Sequence, residues 1–223
     1  MIDTTPVFHP EPEVLLAYSA GSLDEANSVL TATHLALCPR CRREVARLDA
    51  IGGILTAQLK PTELAPDALA AVLARLDEAP SPTDDQVAAA VDDETRHWVP
   101  EPLRRYLGTS LSALPWKRRG FAIHELPLSL GSGSVRATLI RTGGGAALPE
   151  HTHEGVETTL VLRGAFRDEG GRFARGDVAT ATSADNHRPV AEPDDECLCF
   201  SVIDGPLRLT GRFGRLLNPF IRI

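Results

Sequence analysis

The sequence predicts an α+β protein of two domains, an N-terminal helical bundle followed by an all-β barrel. Three observations predict it. Apolar residues recur at helical spacing through residues 1–77, glycines punctuate short alternating runs from about Trp98 onward, and most of the histidines and cysteines gather in two clusters, one in each region. A chain of 223 residues is long enough to bury a core in each. The expected division is a helical domain over 1–77, a linker over 78–97 and a β domain over 98–223.

The elements follow in order. "EVLLAYSAGSL" places Val14, Leu15 and Tyr18 on one side of a first helix, which Gly21 stops. Ser22 and Glu25 have the spacing of a capping box and predict the start of a second helix carrying Leu23, Ala26, Leu30, His34 and Leu37. Pro39 suits the first turn of a third helix, where Val45, Leu48, Ile51 and Leu55 keep helical spacing as far as Pro61. In "PDALAAVLARLDEA" the residues Leu69, Val72, Leu73 and Leu76 stand at i, i+3, i+4 and i+7, a stripe that something must cover. Two covers are open, the domain's own core and a partner. "EAPSPTDDQVAAAVDDETRH" reads as the linker, with one weak helical turn at "QVAAAV". Beyond it "VRATLIR", "ETTLVLRG", "GDVATAT" and "CLCFSVI" read as short strands of a sandwich or barrel.

Charge is unevenly shared. Residues 1–95 carry six Lys and Arg against sixteen Asp and Glu, a balance of −10, whereas the remainder stands at +3. An acidic front half excludes direct nucleic-acid binding there, since phosphate contacts require Lys and Arg. It suits either a partner with a basic surface or simple solvation. No apolar run approaches the ~20 residues that cross a bilayer, so no membrane association is expected. "MIDTTPVFHPEPE" lacks the pattern of a secretory signal, which makes the cytoplasm the expected compartment. Cysteines there serve as metal ligands or redox thiols more often than in disulfides.

"HLALCPRC" places His34 four residues before Cys38 on one helical face, and the Cys-x2-Cys turn brings Cys41 alongside. Two thiolates and an imidazole favour zinc, whose structural sites are closed by four ligands. His9 is the other histidine of the front domain, so the expected zinc site is His9, His34, Cys38 and Cys41. A bundle of about 60 residues gains stability from such a staple. A zinc finger that reads DNA is excluded by the missing second histidine pair and the missing basic face.

The rear half carries Gly145, then His151-x-His153, then Glu157 and Gly164, which satisfies the first motif of the cupin family in full. Residues two apart on a strand share a face, so both histidines would enter a barrel mouth. In the second motif Gly176 and His187 hold the ends, but Thr182 and Ala184 replace the internal proline and glycine, which predicts a looser turn. The resemblance is to the cupin double-stranded β-helix, or jelly-roll, barrel. His151, His153, Glu157 and His187 form the expected divalent-metal site, open to zinc, manganese, iron or nickel. Glu150 and Glu154 lie near enough to compete with Glu157, and the spacing favours Glu157. Cys197 and Cys199 share one face of a strand, either as oxidant-sensing thiols or as small core residues.

With His9, "LLAYSAGSL", "THLALCPRC" and then "FRDEGGRFARGDV", "DGPLRLTG" and "GRLLNPF", the chain resembles the ChrR-type zinc-containing anti-sigma factors over nearly its whole length. That resemblance implies a helical domain that sequesters an extracytoplasmic-function sigma factor, with the stripe Leu69, Val72, Leu73 and Leu76 facing it. It also implies zinc in a sensory cupin that answers singlet oxygen or a related oxidant such as an organic peroxide, and no catalytic role. The rival reading is a metal-dependent cupin enzyme, a dioxygenase or isomerase, with a helical appendage.

Overall fold

The computed structural model describes residues 5–76, 91–130 and 133–211. Three helices open the chain: α1 (Pro12–Ser19), α2 (Glu25–Leu37) and α3 (Pro39–Ala57). Gly21 ends the first as expected, in a left-handed conformation at φ 66°. The capping box does not form. Asp24 caps α2 instead, its carboxylate accepting from the Asn27 amide, while the Ser22 hydroxyl turns back to the Ala17 carbonyl. An anionic cap complements the helix dipole as well as the free amide, and Asp24 stands two residues further along the chain than Ser22, directly before the first turn.

Cys38 lies between α2 and α3 and serves both. Its backbone amide donates to His34, closing α2, and its sulfur accepts from the Cys41 amide, capping α3 behind Pro39. The second half of α3 does not enter the core. Leu15, Leu35, Cys38, Cys41 and Val45 form a small apolar cluster with Tyr18 and Leu48 at its edge, whereas Ile51 and Leu55 are exposed. The fourth helix, α4 (Ala68–Leu76), carries its stripe outward as well: Leu69 is 71% exposed and Leu73 52%. Among the described residues nothing covers it.

The weak turn at 86–91 lies outside the described residues except for Val91, which is buried. The end of the expected linker is helical. Asp92 caps a helix, Asp93–Trp98, by accepting from the Thr95 amide, and the buried Thr95 hydroxyl accepts from the Leu111 amide. Polar composition hid this turn, because its acidic residues are the N-terminal cap and first turn of a helix. A short helix, Glu101–Arg104, follows.

Eleven described strands then form antiparallel sheets: β1 (Lys117–Arg118), β2 (Ile123–Leu128), β3 (Val135–Thr142), β4 (His151–His153), β5 (Glu157–Arg163), β6 (Ala165–Asp168), β7 (Gly171–Ala174), β8 (Val178–Ala181), β9 (Val190–Ala191), β10 (Cys197–Asp204) and β11 (Leu207–Leu209). The large sheet runs β1-β2-β3-β10-β5-β8, with β10 central and buried along most of its length. Smaller sheets β11-β4 and β7-β6-β9 close the other side around a cavity of about 220 Å³. The run "GRLLNPF" lies outside the described residues.

The bundle is not a separate body beside this barrel. Ala26, Val29 and Leu30 of α2 belong to the same buried cluster as Val99, Leu103, Leu139, Leu160 and Phe200. One face of α2 therefore covers the large sheet while its C-terminal end meets α3. Leu103 is fully buried in that shared core, so Leu103→Ala is expected to cost about 2–4 kcal/mol in urea unfolding. Leu73→Ala, on the exposed stripe, should stay within about 0.5 kcal/mol.

Candidate metal centres

Two groups of side chains converge. His9, His34, Cys38 and Cys41 offer ligand atoms that all lie within 4.8 Å of one another, as do His151, His153, Glu157 and His187. Both groups are those expected from the sequence. His97 and His124 belong to neither.

In the first group α2 supplies His34, the junction of α2 and α3 supplies the two cysteines, and the extended N-terminal segment supplies His9. His9 Nδ1 lies 3.5 Å from both sulfurs. Ligands at ordinary zinc distances in a tetrahedron have nitrogen and sulfur about 3.6 Å apart, so these edges fit. His34 Nδ1 lies 2.8 Å from the Gly176 carbonyl, which can only accept, so the proton sits on Nδ1 and the lone pair on Nε2. That Nε2 is buried and has no hydrogen-bond partner. Burial holds the His34 imidazole down at about 4, so it is neutral and free to donate its lone pair. Burial, reinforced by the neighbouring Cys38, pushes the Cys41 thiol up to about 12. A metal ion reverses that cost by taking the thiolate as a ligand.

The second group sits at one end of the barrel cavity. β4 sends His151 and His153 inward, β5 begins with Glu157, and His187 bridges back to His151 after β8. The three Nε2 atoms are 3.1 Å apart at His151–His187 and at His153–His187, and Glu157 Oε2 lies 3.1 Å from His153 Nε2. His151 Nδ1 donates to the Pro149 carbonyl and His187 Nδ1 to the Asp168 carboxylate, which leaves the Nε2 lone pairs facing one another. Such convergence in a buried site is repulsive unless a cation occupies its centre. Burial alone would raise the Glu157 carboxyl, but the hydrogen bond and charge of His153, with a hydrogen bond from Ser201, hold it at about 2. It is an anion.

The competing carboxylates are engaged elsewhere. Glu150 accepts from Asn186, and Glu154 pairs with Arg208. The turn before His187 is not loose either. Asp185 accepts from both the amide and the hydroxyl of Thr182, a side-chain closure that replaces the missing proline and glycine. Asp168, Ser201 and Asp185 escaped the sequence reading. Of the three, only Asp185 had a visible signal, in the departure from the second motif.

Cys197 and Cys199 face the same cavity, with their sulfurs 3.6 Å apart. Their hydrogen bond, then burial, pushes the Cys199 thiol well above its ordinary value, which disfavours the thiolate that reacts with oxidants. They pack with Val161, Phe166 and Phe173 as core residues.

Among the described residues no helix is long and apolar enough to cross a membrane. Residues 105–207 match the family described as the ChrR Cupin-like domain. The chain is 40% identical over 218 residues to the anti-sigma-E factor ChrR of Cereibacter sphaeroides, covering 96% of this chain and 98% of that protein. It is also similar to the anti-sigma ChrR in a crystal structure of Rhodobacter sphaeroides SigE in complex with it. There the TM-score is 0.77 at 39% identity, over 90% of this chain and all of that one. Both relatives are regulators, which sets aside the reading as a cupin enzyme. The helical metal cluster, the barrel that carries the second cluster and the resemblance along almost the entire chain have one common explanation: the protein belongs to the family of ChrR-type anti-sigma factors.

Proposed function

We propose that this chain sequesters an extracytoplasmic-function sigma factor in the cytoplasm and releases it when its barrel meets an oxidant. The observation that carries this reading is the likeness, over nearly full length, to a protein solved in complex with SigE. Residues 1–77 are the sigma-binding unit and residues 98–223 the sensory one. Zinc held by His9, His34, Cys38 and Cys41 locks the N-terminal segment to α2 and α3. The exposed residues Leu69, Val72, Leu73 and Leu76 of α4, with the exposed Ile51 and Leu55 of α3, supply apolar surface for the partner. Steric occlusion follows from occupying surface that the sigma factor needs for polymerase. The charge balance of −10 in the front half favours a basic partner surface and leaves no role for direct nucleic-acid contact.

Zinc, or manganese, iron or nickel, held by His151, His153, Glu157 and His187 gives the barrel its chemical sensitivity. The metal supplies a Lewis-acidic centre beside the cavity. The chain's own residues orient the ligands: Asp168 fixes the His187 ring, Pro149 the His151 ring and Ser201 the Glu157 carboxylate. The oxidant is singlet oxygen or an organic peroxide. Cys197 and Cys199 are available as redox thiols only if that centre or the oxidant first perturbs their burial.

Three outcomes are expected. Cys38→Ser with Cys41→Ser should remove one zinc per chain by elemental analysis and abolish capture of the sigma factor. Unchanged metal content would contradict the assignment. His151→Ala with His153→Ala should abolish release by oxidant in a sigma-binding assay while capture persists. Raising salt from about 0.05 to about 0.5 M, which shortens the screening length about threefold, should weaken sigma binding measurably.

A further inference from the structure

Three consecutive residues between β7 and β8 each hold a different part of the helical region. Arg175 stacks over the Trp98 ring, 5.0 Å from its centroid, and donates to the His97 carbonyl. The Gly176 carbonyl accepts from His34 Nδ1 at 2.8 Å. Asp177, buried, accepts through Oδ1 from the amides of Val7 and Phe8 at 2.6 and 2.9 Å, and through Oδ2 from Ala174. Phe8 returns the contact: its carbonyl accepts from the Val178 amide and its ring lies 4.5 Å from Phe173. Gly176 has φ 89°, and a Cβ there would stand 2.6 Å from Pro6 Cγ, so the turn and the N-terminal segment are closely fitted.

Both histidines of the helical cluster are thus held from the barrel. His34 is gripped by its far nitrogen, and His9 follows directly on the two residues whose amides Asp177 clamps. We propose that Gly176 and Asp177 are positioning residues for the His9, His34, Cys38 and Cys41 cluster, so that the barrel sets how firmly this cluster holds its metal. The inference rests on the reading that the cluster binds a metal. Partners of metal-bound imidazoles that fix ring and tautomer typically change metal affinity by about 10- to 100-fold. The Gly176 carbonyl is such a partner, and it is supplied by the other domain. The connection runs on into the barrel, because β8 begins at Val178, pairs with β5 at Ala181 opposite Glu157, and lines the cavity through Ala179 and Ala181. A displacement of β8 caused at the barrel cluster moves the turn that holds His34 and the backbone before His9.

The test uses the full chain loaded with cobalt(II). Thiolate-to-cobalt charge transfer in the near ultraviolet reports the helical cluster alone, since the barrel cluster has no sulfur ligand. Asp177→Ala removes the clamp on Val7 and Phe8, and Phe8→Ala removes the ring contact while leaving the barrel's internal hydrogen bonds and both ligand sets in place. Each is expected to speed loss of the charge-transfer band to excess EDTA by about tenfold or more, while the barrel retains its cobalt. Should Asp177→Ala fail to fold, Asp177→Asn, which keeps the side chain's size but sets an amide N–H against one set of the backbone amides it now accepts from, decides by the same readout. Two metals bound and rates within about twofold of the unaltered chain would overturn this inference alone. Absence of the band in the unaltered chain would overturn both the inference and the metal assignment beneath it.

Discussion

The His34 imidazole faces two ways, and the arrangement of the molecule depends on that. One nitrogen lies buried among two sulfurs and a second imidazole without a protein partner, and the other donates to a backbone carbonyl of the β domain. Neither half is self-sufficient. The ring is neutral because it is buried, its tautomer is fixed because the carbonyl can only accept, and its free lone pair therefore points where the cysteines are. A helix that began as the second element of a small bundle becomes, through this ring and through Ala26, Val29 and Leu30, a wall of the barrel's core.

The barrel cluster is built on the same physical logic with different elements. Outward hydrogen bonds from the Nδ1 atoms of His151 and His187 turn the Nε2 atoms inward, and an ionised carboxylate completes the group. Strand alternation supplies two of these residues and an antiparallel bridge brings the last one back. The first cluster closes four ligands on one another, three of them buried and His9 half-buried at its edge. The second opens on a cavity, which suits a centre that meets small molecules rather than one that only braces a fold.

Much of this was legible in the sequence because ligand spacing is local. His34 to Cys38 is one helical turn, Cys38 to Cys41 one cap, and His151 to His153 one strand period, so each could be placed before any tertiary contact was known. What escaped was set by contacts between distant segments. Asp24 displaced Ser22 as a cap through local competition, and the helix at 93–98 hid inside acidic composition that resembled a linker. Asp168, Ser201 and Asp177 carry no local signal, since each acts on a residue far away in the chain. The leucine stripe of α4 was plain as a pattern, yet a pattern cannot tell a covered face from one left open, and among the described residues it is open. The core that α2 shares with the β region was hidden for the same reason, because a shared core leaves no mark in composition.

The measurement that bears most directly on the central claim is anomalous diffraction at the zinc edge from crystals of the full chain. A peak about 2.0–2.3 Å from His34 Nε2, His9 Nδ1 and both sulfurs, with His34 Nδ1 still on the Gly176 carbonyl, is the predicted result. A His34 ring turned away from the sulfurs, with no anomalous scatterer between them, would contradict the account.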